Sequence, residues 1–178
     1  MKRWLMPVLI ITVIIMGVIA FSVYSWAVGF NNTAVEYEEN AKTAWSNVES
    51  SYQRRNDLIG NLVKTVQGAA DFEKETLTDV INARAKATSV NINAGDLTSE
   101  KMAQFQQAQA GMSGALSKLL VSVERYPELK ANANFLELQS QIEGTENRIN
   151  VTRDRFNAGV NVYNKLINKI PGSFLAGI

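Results

Sequence analysis

An uncharged, apolar run of 26 residues lies near the start of the sequence, from Leu5 to Phe30. At a helical rise of about 1.5 Å per residue the run would extend for about 39 Å, and the hydrocarbon core of a bilayer is about 30 Å thick. Trp4 at one end and Tyr24 and Trp26 near the other are typical of side chains at membrane interfaces. The run therefore predicts a transmembrane helix, and it leaves about one domain's worth of chain to fold beside the membrane.

A cleaved signal peptide is the main alternative for this run. The apolar part of a signal peptide has about 7–15 residues and is followed by a cleavage site with small residues at alternate positions. Here the run is longer, and Ser25-Trp26-Ala27 is a poor match to such a site. We therefore expect a membrane anchor at residues 1–30, a helical body at 31–171 and an apolar C-terminal tail at 172–178.

Charged residues beside the apolar run predict its orientation. Lys2 and Arg3 precede the run, whereas Glu36, Glu38 and Glu39 follow it before the next basic residue. Because basic residues beside a membrane span favour the cytoplasmic side, we expect a cytoplasmic N-terminus and a body on the other side of the membrane.

The composition excludes several kinds of chemistry. The sequence contains no cysteine and no histidine, which excludes disulfides, thiol nucleophiles, zinc sites built on these residues and serine–histidine triads. The formal charge is only +1, and nucleic-acid binding usually needs a concentrated basic face. We therefore expect no catalytic residue, no metal, no cofactor and no nucleic-acid partner, although an enzyme based on carboxylates or lysine remains an alternative.

The rest of the chain has the spacing of helices. Apolar residues recur every three or four positions in four segments, at about 41–69, 72–90, 99–126 and 134–169. Residues 91–99 are polar and predict a loop, with Thr98 or Ser99 as the N-cap of the next helix. The pattern predicts an all-α protein, in which an N-terminal transmembrane helix is followed by an elongated antiparallel bundle of about four helices, two of them long.

One charged residue, Arg55, interrupts the apolar series of the first segment. An unpaired buried guanidinium is costly, so Arg55 requires a carboxylate partner. We hypothesise that Arg54 or Arg55 pairs with Glu146 of the fourth segment and fixes the register of the two helices, while a protein contact or a ligand site is the alternative. The candidate polar network consists of Arg54, Arg55, Asp57, Asn61, Glu146, Asn147 and Arg148.

Trp45 and three glycines are also assigned to packing. Trp45 occupies a position in the apolar series, where an aromatic side chain indicates core rather than a binding surface. Gly111, Gly114 and Gly144 weaken their helices by up to about 1 kcal/mol each relative to alanine. Their small size predicts the close approach of another helix, either within the chain or between chains.

Several motifs resemble the signature of the LemA family. They are the residues at 45–49 (Trp-Ser-Asn-Val-Glu), 54–63, 83–87, 124–132 and 144–149, together with Arg153, Asn157, Tyr163 and Asn164. The likeness covers nearly the whole chain after the apolar run, and Gly60 departs from the proline that the family usually has there. The resemblance implies a bacterial, membrane-anchored, mostly antiparallel helical protein, and it supplies no catalytic residues.

We expect from these observations a membrane-anchored, non-enzymatic helical scaffold that self-associates at the bacterial cytoplasmic (inner) membrane. The reason is that rods tethered to one surface gain effective concentration. The expected partners are the lipid bilayer, further copies of the chain and another membrane protein, and the family resemblance implies a link to envelope or membrane stress. The alternative is an extracytoplasmic sensory or adaptor module for a membrane partner such as a stress protease.

Overall fold

The computed structural model describes residues 2–69, 72–95, 97–170 and 172–175. These residues form helices and no strand, so the all-α prediction is confirmed. The helices are α1 (Lys2–Gln67), α2 (Lys74–Ser89), α3 (Ser99–Val123), α4 (Pro127–Lys130), α5 (Ala133–Asn168) and α6 (Gly172–Leu175).

The four predicted segments correspond to α1, α2, α3 and α5, and α1 also includes the apolar run. No sequence pattern predicted α4 and α6, which have one turn each. The third helix was predicted to reach Tyr126, whereas α3 ends at Val123 and tight i→i+3 turns follow. Pro127 begins α4, a position where its missing N–H leaves no helical hydrogen bond unmade.

Side-chain caps fix where two of the helices begin. Thr98 Oγ1 accepts a hydrogen bond from the Lys101 N–H at 3.3 Å, so Thr98 rather than Ser99 is the N-cap of α3. Asn132 Oδ1 accepts from the N–H groups of Asn134 and Phe135, at 2.9 and 3.1 Å. This cap, which the sequence analysis missed, starts α5 at its predicted place within one residue.

Contacts divide the chain into two compact units, one of residues 1–41 with 158–178 and one of residues 42–157. In the first unit, every large apolar side chain from Met6 to Tyr24 is more than half exposed. At the other end of this unit's part of α1, a Cβ atom at Gly159 of α5 would lie 3.6 Å from the Ala41 Cα atom, so the two helix backbones approach closely there. The boundaries predicted for the anchor, the body and the tail remain predictions. Pro171, the last residue of the predicted body, and residues 176–178 of the predicted tail lie outside the described residues.

The second unit has two apolar cores. The larger contains Ile59, Leu62 and Leu119, which are fully buried. The smaller is centred on Trp45, which is 2% exposed and whose ring centroid lies 5.6 Å from that of Phe105. The Trp45 Nε1–H donates to the Ile92 carbonyl at 2.8 Å and joins α1 to the loop after α2. Trp45 is therefore a core residue, as predicted.

Candidate functional site

The guanidinium of Arg55 lies between three helices of the second unit. Its Nη1 donates hydrogen bonds to Glu146 Oε1 of α5 at 2.8 Å and to Ser113 Oγ of α3 at 3.1 Å. Its Nη2 donates to the side-chain oxygen of Gln109 on α3. One side chain of α1 therefore ties α3 and α5 together.

The contacts of Arg55 extend to a fourth helix and to an aromatic ring. Gln109 uses its amide N–H to donate to the Ala87 carbonyl of α2 at 3.3 Å. One turn before Arg55, the Tyr52 ring centroid lies 5.0 Å from the guanidinium carbon, within the range of a cation–π contact. The buried Nε of Arg55 has no hydrogen-bond partner among the described residues.

The two charges of the ion pair differ in their access to water. The Arg55 side chain is 2% exposed, whereas that of Glu146 is 38% exposed. Arginine remains protonated in proteins, so its buried charge depends on these acceptors, while Glu146 keeps part of its hydration. A permanently charged arginine offers no proton transfer, and the arrangement is suited to fixing helix register rather than to acid–base catalysis.

Burial raises the pKa of two side chains near this network. It raises the pKa of the Tyr52 phenol, although the charges of Arg153 and Arg55 and a hydrogen bond from Arg153 oppose the change. It also raises the pKa of Glu49, one turn of α1 earlier. The Tyr52 phenol is therefore neutral at physiological pH.

The structure brings two of the seven candidate residues into contact. The ion pair expected of Arg54 or Arg55 is made by Arg55 with Glu146. Neighbours in sequence differ by about 100° around a helix axis, so residues beside Arg55 face elsewhere. The other five candidates are exposed: Arg54, Asp57, Asn61, Asn147 and Arg148.

The partners of Arg55 on α3, Gln109 and Ser113, were not predicted from the sequence. Gln109 is 4% exposed and lies in the apolar series of that helix, so a polar residue in a core position was the available signal. Ser113, one turn later, is exposed and carried no such signal. The structure, not the sequence, shows that both accept hydrogen bonds from Arg55.

A second arginine contact lies beside Gly60. Arg84 Nε of α2 donates to the Asn56 carbonyl of α1 at 2.9 Å. A Cβ atom at Gly60 would lie 3.1 Å from the Arg84 guanidinium, so the glycine makes room for it. α1 continues through this position without a break.

A groove of about 650 Å³ lies between α1 and α5 on another side of the second unit. It contains three of the exposed candidates, Arg54, Asn147 and Arg148, together with Arg155. Among the described residues there is no group of three or more Asp, Glu, His or Cys side chains that could hold a metal ion.

Known sequences resemble this chain over most of its length. The sequence model of the LemA family matches residues 44–178. Magnetosome protein MamQ of Magnetospirillum gryphiswaldense is 28% identical over 166 residues, which cover 83% of this chain and 60% of that protein. Magnetosome protein MamQ 1 of Paramagnetospirillum magneticum is 27% identical over 164 residues, with the same two coverages.

A fourth similarity is to protein LemA of Metamycoplasma hominis, which is 25% identical over 140 residues. These residues cover 79% of this chain and 60% of that protein. The chain thus spans about 60% of the length of the curated relatives that it matches.

Proposed function

We propose, from the premise that this chain belongs to the LemA family, that it is a helical scaffold anchored in the bacterial cytoplasmic membrane. The observation that carries the proposal is the apolar segment of α1. Its most hydropathic stretch has a mean hydropathy of 2.7, and none of that stretch is buried. By length and composition, this is the one helix among the described residues that could cross a membrane, and a bilayer would cover the exposed apolar side chains.

The continuity of α1 favours a retained anchor over a removed signal sequence. The helix runs from Lys2 to Gln67, so it includes both the apolar segment and the core residue Trp45. Cleavage near Ala27 would cut the chain inside this helix. We propose that the segment stays with the body and crosses the membrane.

The orientation proposed from the flanking charges places the body outside the cytoplasm. The absence of cysteine makes a direct test available, because one introduced cysteine is the only labelling site. Lys118→Cys lies at an exposed position of α3. A membrane-impermeant maleimide labels it in intact spheroplasts if the body is outside, and only after lysis if the body is cytoplasmic.

We infer that the scaffold associates with copies of itself through α3. Ala103, Ala110, Gly114, Ser117 and Val121 follow one another at helical spacing on the exposed side of this helix. Val121 is 69% exposed, and nothing lies within 4 Å of a Cβ atom at Gly114. The chain therefore leaves this face open, with Lys118 at its edge, and small residues permit another helix to approach it closely.

Bulky charged substitutions on two helices test this contact. Gly114→Arg blocks the proposed face, and Gly144→Arg places the same side chain on α5, where nothing lies within 4 Å of the Cβ position either. Light scattering of the full-length protein in neutral detergent should show an oligomer that Gly114→Arg reduces to a monomer and Gly144→Arg leaves intact. A monomeric unsubstituted protein, or equal effects of the two substitutions, would contradict the proposal.

An adaptor for a membrane partner, such as a stress protease, is the alternative function. A photo-crosslinking residue introduced at position 117 in cells distinguishes the scaffold from the adaptor, since Ser117 lies on the exposed face of α3 that is proposed to bind another copy. Self-adducts support the scaffold, whereas adducts that contain mainly one other protein support the adaptor. The proposed link to envelope or membrane stress rests on the family resemblance.

We propose that the protein catalyses no reaction. The buried charged residue, Arg55, is committed to contacts with Gln109, Ser113 and Glu146 that tie helices together. The names of the relatives state no reaction either. A metabolite conversion by the purified protein that is lost when an exposed Asp, Glu or Lys is substituted would contradict this inference.

A further inference from the structure

The groove between α1 and α5 is lined by three arginines and by no acidic residue. Arg54 extends from α1, and Arg148 and Arg155 extend from α5. The two arginines of α5 are seven residues apart, which places them on the same face of the helix at a separation of about 10.5 Å. The rest of the lining consists of small or neutral side chains.

This concentration of positive charge is local. Between residues 42 and 157 the sequence carries 14 basic and 14 acidic residues, so the unit as a whole is neutral. All three arginines are exposed, and none forms an ion pair with a carboxylate that the structure describes. The groove therefore gathers like charges that repel one another.

The other arginines of the unit have identified partners. There are seven arginines between residues 42 and 157, and the three for which the described part of the chain provides no partner are those of the groove. Three others contact a carboxylate or a carbonyl: Arg55 with Glu146, Arg84 with the Asn56 carbonyl, and Arg125 with Glu73. The fourth, Arg153, lies close enough to Tyr52 to lower the pKa of its phenol.

We propose that this groove binds a phosphate-bearing ligand. The planar fork of a guanidinium pairs with two phosphate oxygens at once, and a multivalent anion relieves the repulsion between the arginines. The groove volume of about 650 Å³ lies within the range of about 300–1,000 Å³ for ligand sites and exceeds the space that one phosphate needs. A diphosphate or a phosphate ester therefore fits it better than a single inorganic phosphate.

The hydroxyl groups of the groove do not supply the binding donors. Ser50, Ser51 and Thr152 donate to carbonyls of their own helices at 2.9, 2.8 and 3.0 Å. The remaining donors on the groove wall are mainly the guanidiniums, so the affinity for the anion should depend on them. The groove residues of α1 lie 14–24 positions after Phe30, the end of the apolar segment, which is about 21–36 Å along the helix. The ligand is therefore a soluble phosphate compound rather than a headgroup of the bilayer that α1 crosses.

Two charge-matched triple variants of the full chain test the proposal. Arg54→Gln, Arg148→Gln and Arg155→Gln together remove the arginines of the groove. The control removes three exposed charges that do not line it, Lys64→Gln, Lys86→Gln and Lys118→Gln.

Isothermal titration of pyrophosphate into each protein in neutral detergent should show saturable binding by the unsubstituted chain. The arginine triple variant should bind about tenfold more weakly or worse, while the control changes by less than about twofold. Circular dichroism should show that all three proteins keep the same helix content, because every substituted side chain is exposed. Equal losses in the two triple variants would overturn the proposal.

Nanodiscs distinguish the two sources of phosphate. If the ligand is soluble, pyrophosphate binds equally in discs of phosphatidylcholine alone and in discs that also contain phosphatidylglycerol. If a headgroup occupies the groove instead, the anionic discs weaken pyrophosphate binding by the unsubstituted chain, and this result would contradict a soluble ligand. Absence of arginine-dependent pyrophosphate binding in both kinds of disc would also overturn the proposal, and neither result depends on self-association through α3.

Discussion

Arg55 of α1 and Glu146 of α5 are 91 residues apart in the sequence, and their Nη1 and Oε1 atoms lie 2.8 Å apart. The arginine is almost fully buried, while more than a third of the glutamate side chain remains exposed. The pair therefore links two long helices at one register, and the buried partner depends on the exposed one.

Loss of the glutamate charge should destabilise the protein. Glu146→Gln leaves the Arg55 charge buried without its counter-charge, and breaking a fully buried pair costs about 3–5 kcal/mol. Because Glu146 is 38% exposed and water can reach the site, we expect a loss of about 2 kcal/mol in the free energy of unfolding. The measurement is chemical denaturation of the full chain in detergent.

The control for this substitution is Glu143→Gln, an exposed residue of the same helix that accepts a hydrogen bond from Gln139. It should change the free energy of unfolding by no more than about 0.5 kcal/mol. Equal effects of the two substitutions would show that the ion pair does not hold the helices in register.

Loss of the Trp45 indole N–H should lower the stability of the folded protein. Trp45→Phe removes the hydrogen bond to the Ile92 carbonyl, a residue that is 1% exposed, and an unsatisfied buried polar group costs about 1–3 kcal/mol. Because the smaller phenylalanine ring also leaves part of the core unfilled, we expect the free energy of unfolding, measured by chemical denaturation, to fall by at least about 2 kcal/mol. Trp26→Phe, in the exposed apolar segment, should have little effect, and similar losses for both would contradict this account.

The raised pKa of Tyr52 should make stability depend on alkaline pH. In the unfolded chain the phenol ionises near its ordinary pKa of about 10, whereas in the folded protein burial keeps it protonated to higher pH. The folded state then binds more protons than the unfolded state, so the stabilisation is complete below about pH 10 and decreases as the pH rises through the folded-state pKa.

Urea denaturation of the unsubstituted protein and of Tyr52→Phe between about pH 9 and pH 11 measures this effect. The stability advantage of the tyrosine protein should shrink as the pH rises. A difference that stays constant or grows over this range would mean that the folded protein does not raise the pKa of Tyr52.

Proline at position 60 should be tolerated because of Arg84. A proline inside a helix removes an N–H and costs about 3 kcal/mol or more. The N–H of Gly60 is the helical donor to the Asn56 carbonyl, but Arg84 also donates to that carbonyl. We expect Gly60→Pro to cost only about 1–2 kcal/mol, because the side chain that must shift to admit the ring is the flexible end of Arg84.

A double-mutant cycle tests this coupling. Gly60→Pro should cost more in an Arg84→Met background than in the unsubstituted protein, and Gly111→Pro in α3 should cost the full amount for a helix interior. Additive effects of Gly60→Pro and Arg84→Met would show that Arg84 does not compensate for the missing N–H.

The long helices could be predicted because their buried apolar residues recur at helical spacing along the sequence. The apolar series around Ile59, Leu119 and Ile149 identified α1, α3 and α5, because each series lies on one helical face. Helices α4 and α6 have a single turn, which is too short for a period to be seen. Their limits depend on local turns and on Pro127 rather than on a pattern.

The ion pair was predictable because burial of a charge demands a partner. Arg55 in an apolar series required a carboxylate, and Glu146 was the candidate that the structure places there. The sequence placed Arg55 in the apolar series but left open whether Arg54 or Arg55 pairs with Glu146, and it did not identify Gln109 as a further acceptor. Those distinctions depend on the rotation of each helix about its axis, which the contacts between helices determine.

Alkaline carbonate extraction of membranes from cells that express the full chain tests the central proposal, that the apolar segment of α1 is a retained membrane span. Carbonate releases proteins held at the surface and leaves proteins that cross the bilayer in the membrane pellet. We predict that the chain stays in the pellet and that its mass, measured by mass spectrometry, still includes the apolar segment. A chain found in the supernatant, or shortened near Ala27, would contradict the anchor and the scaffold built on it.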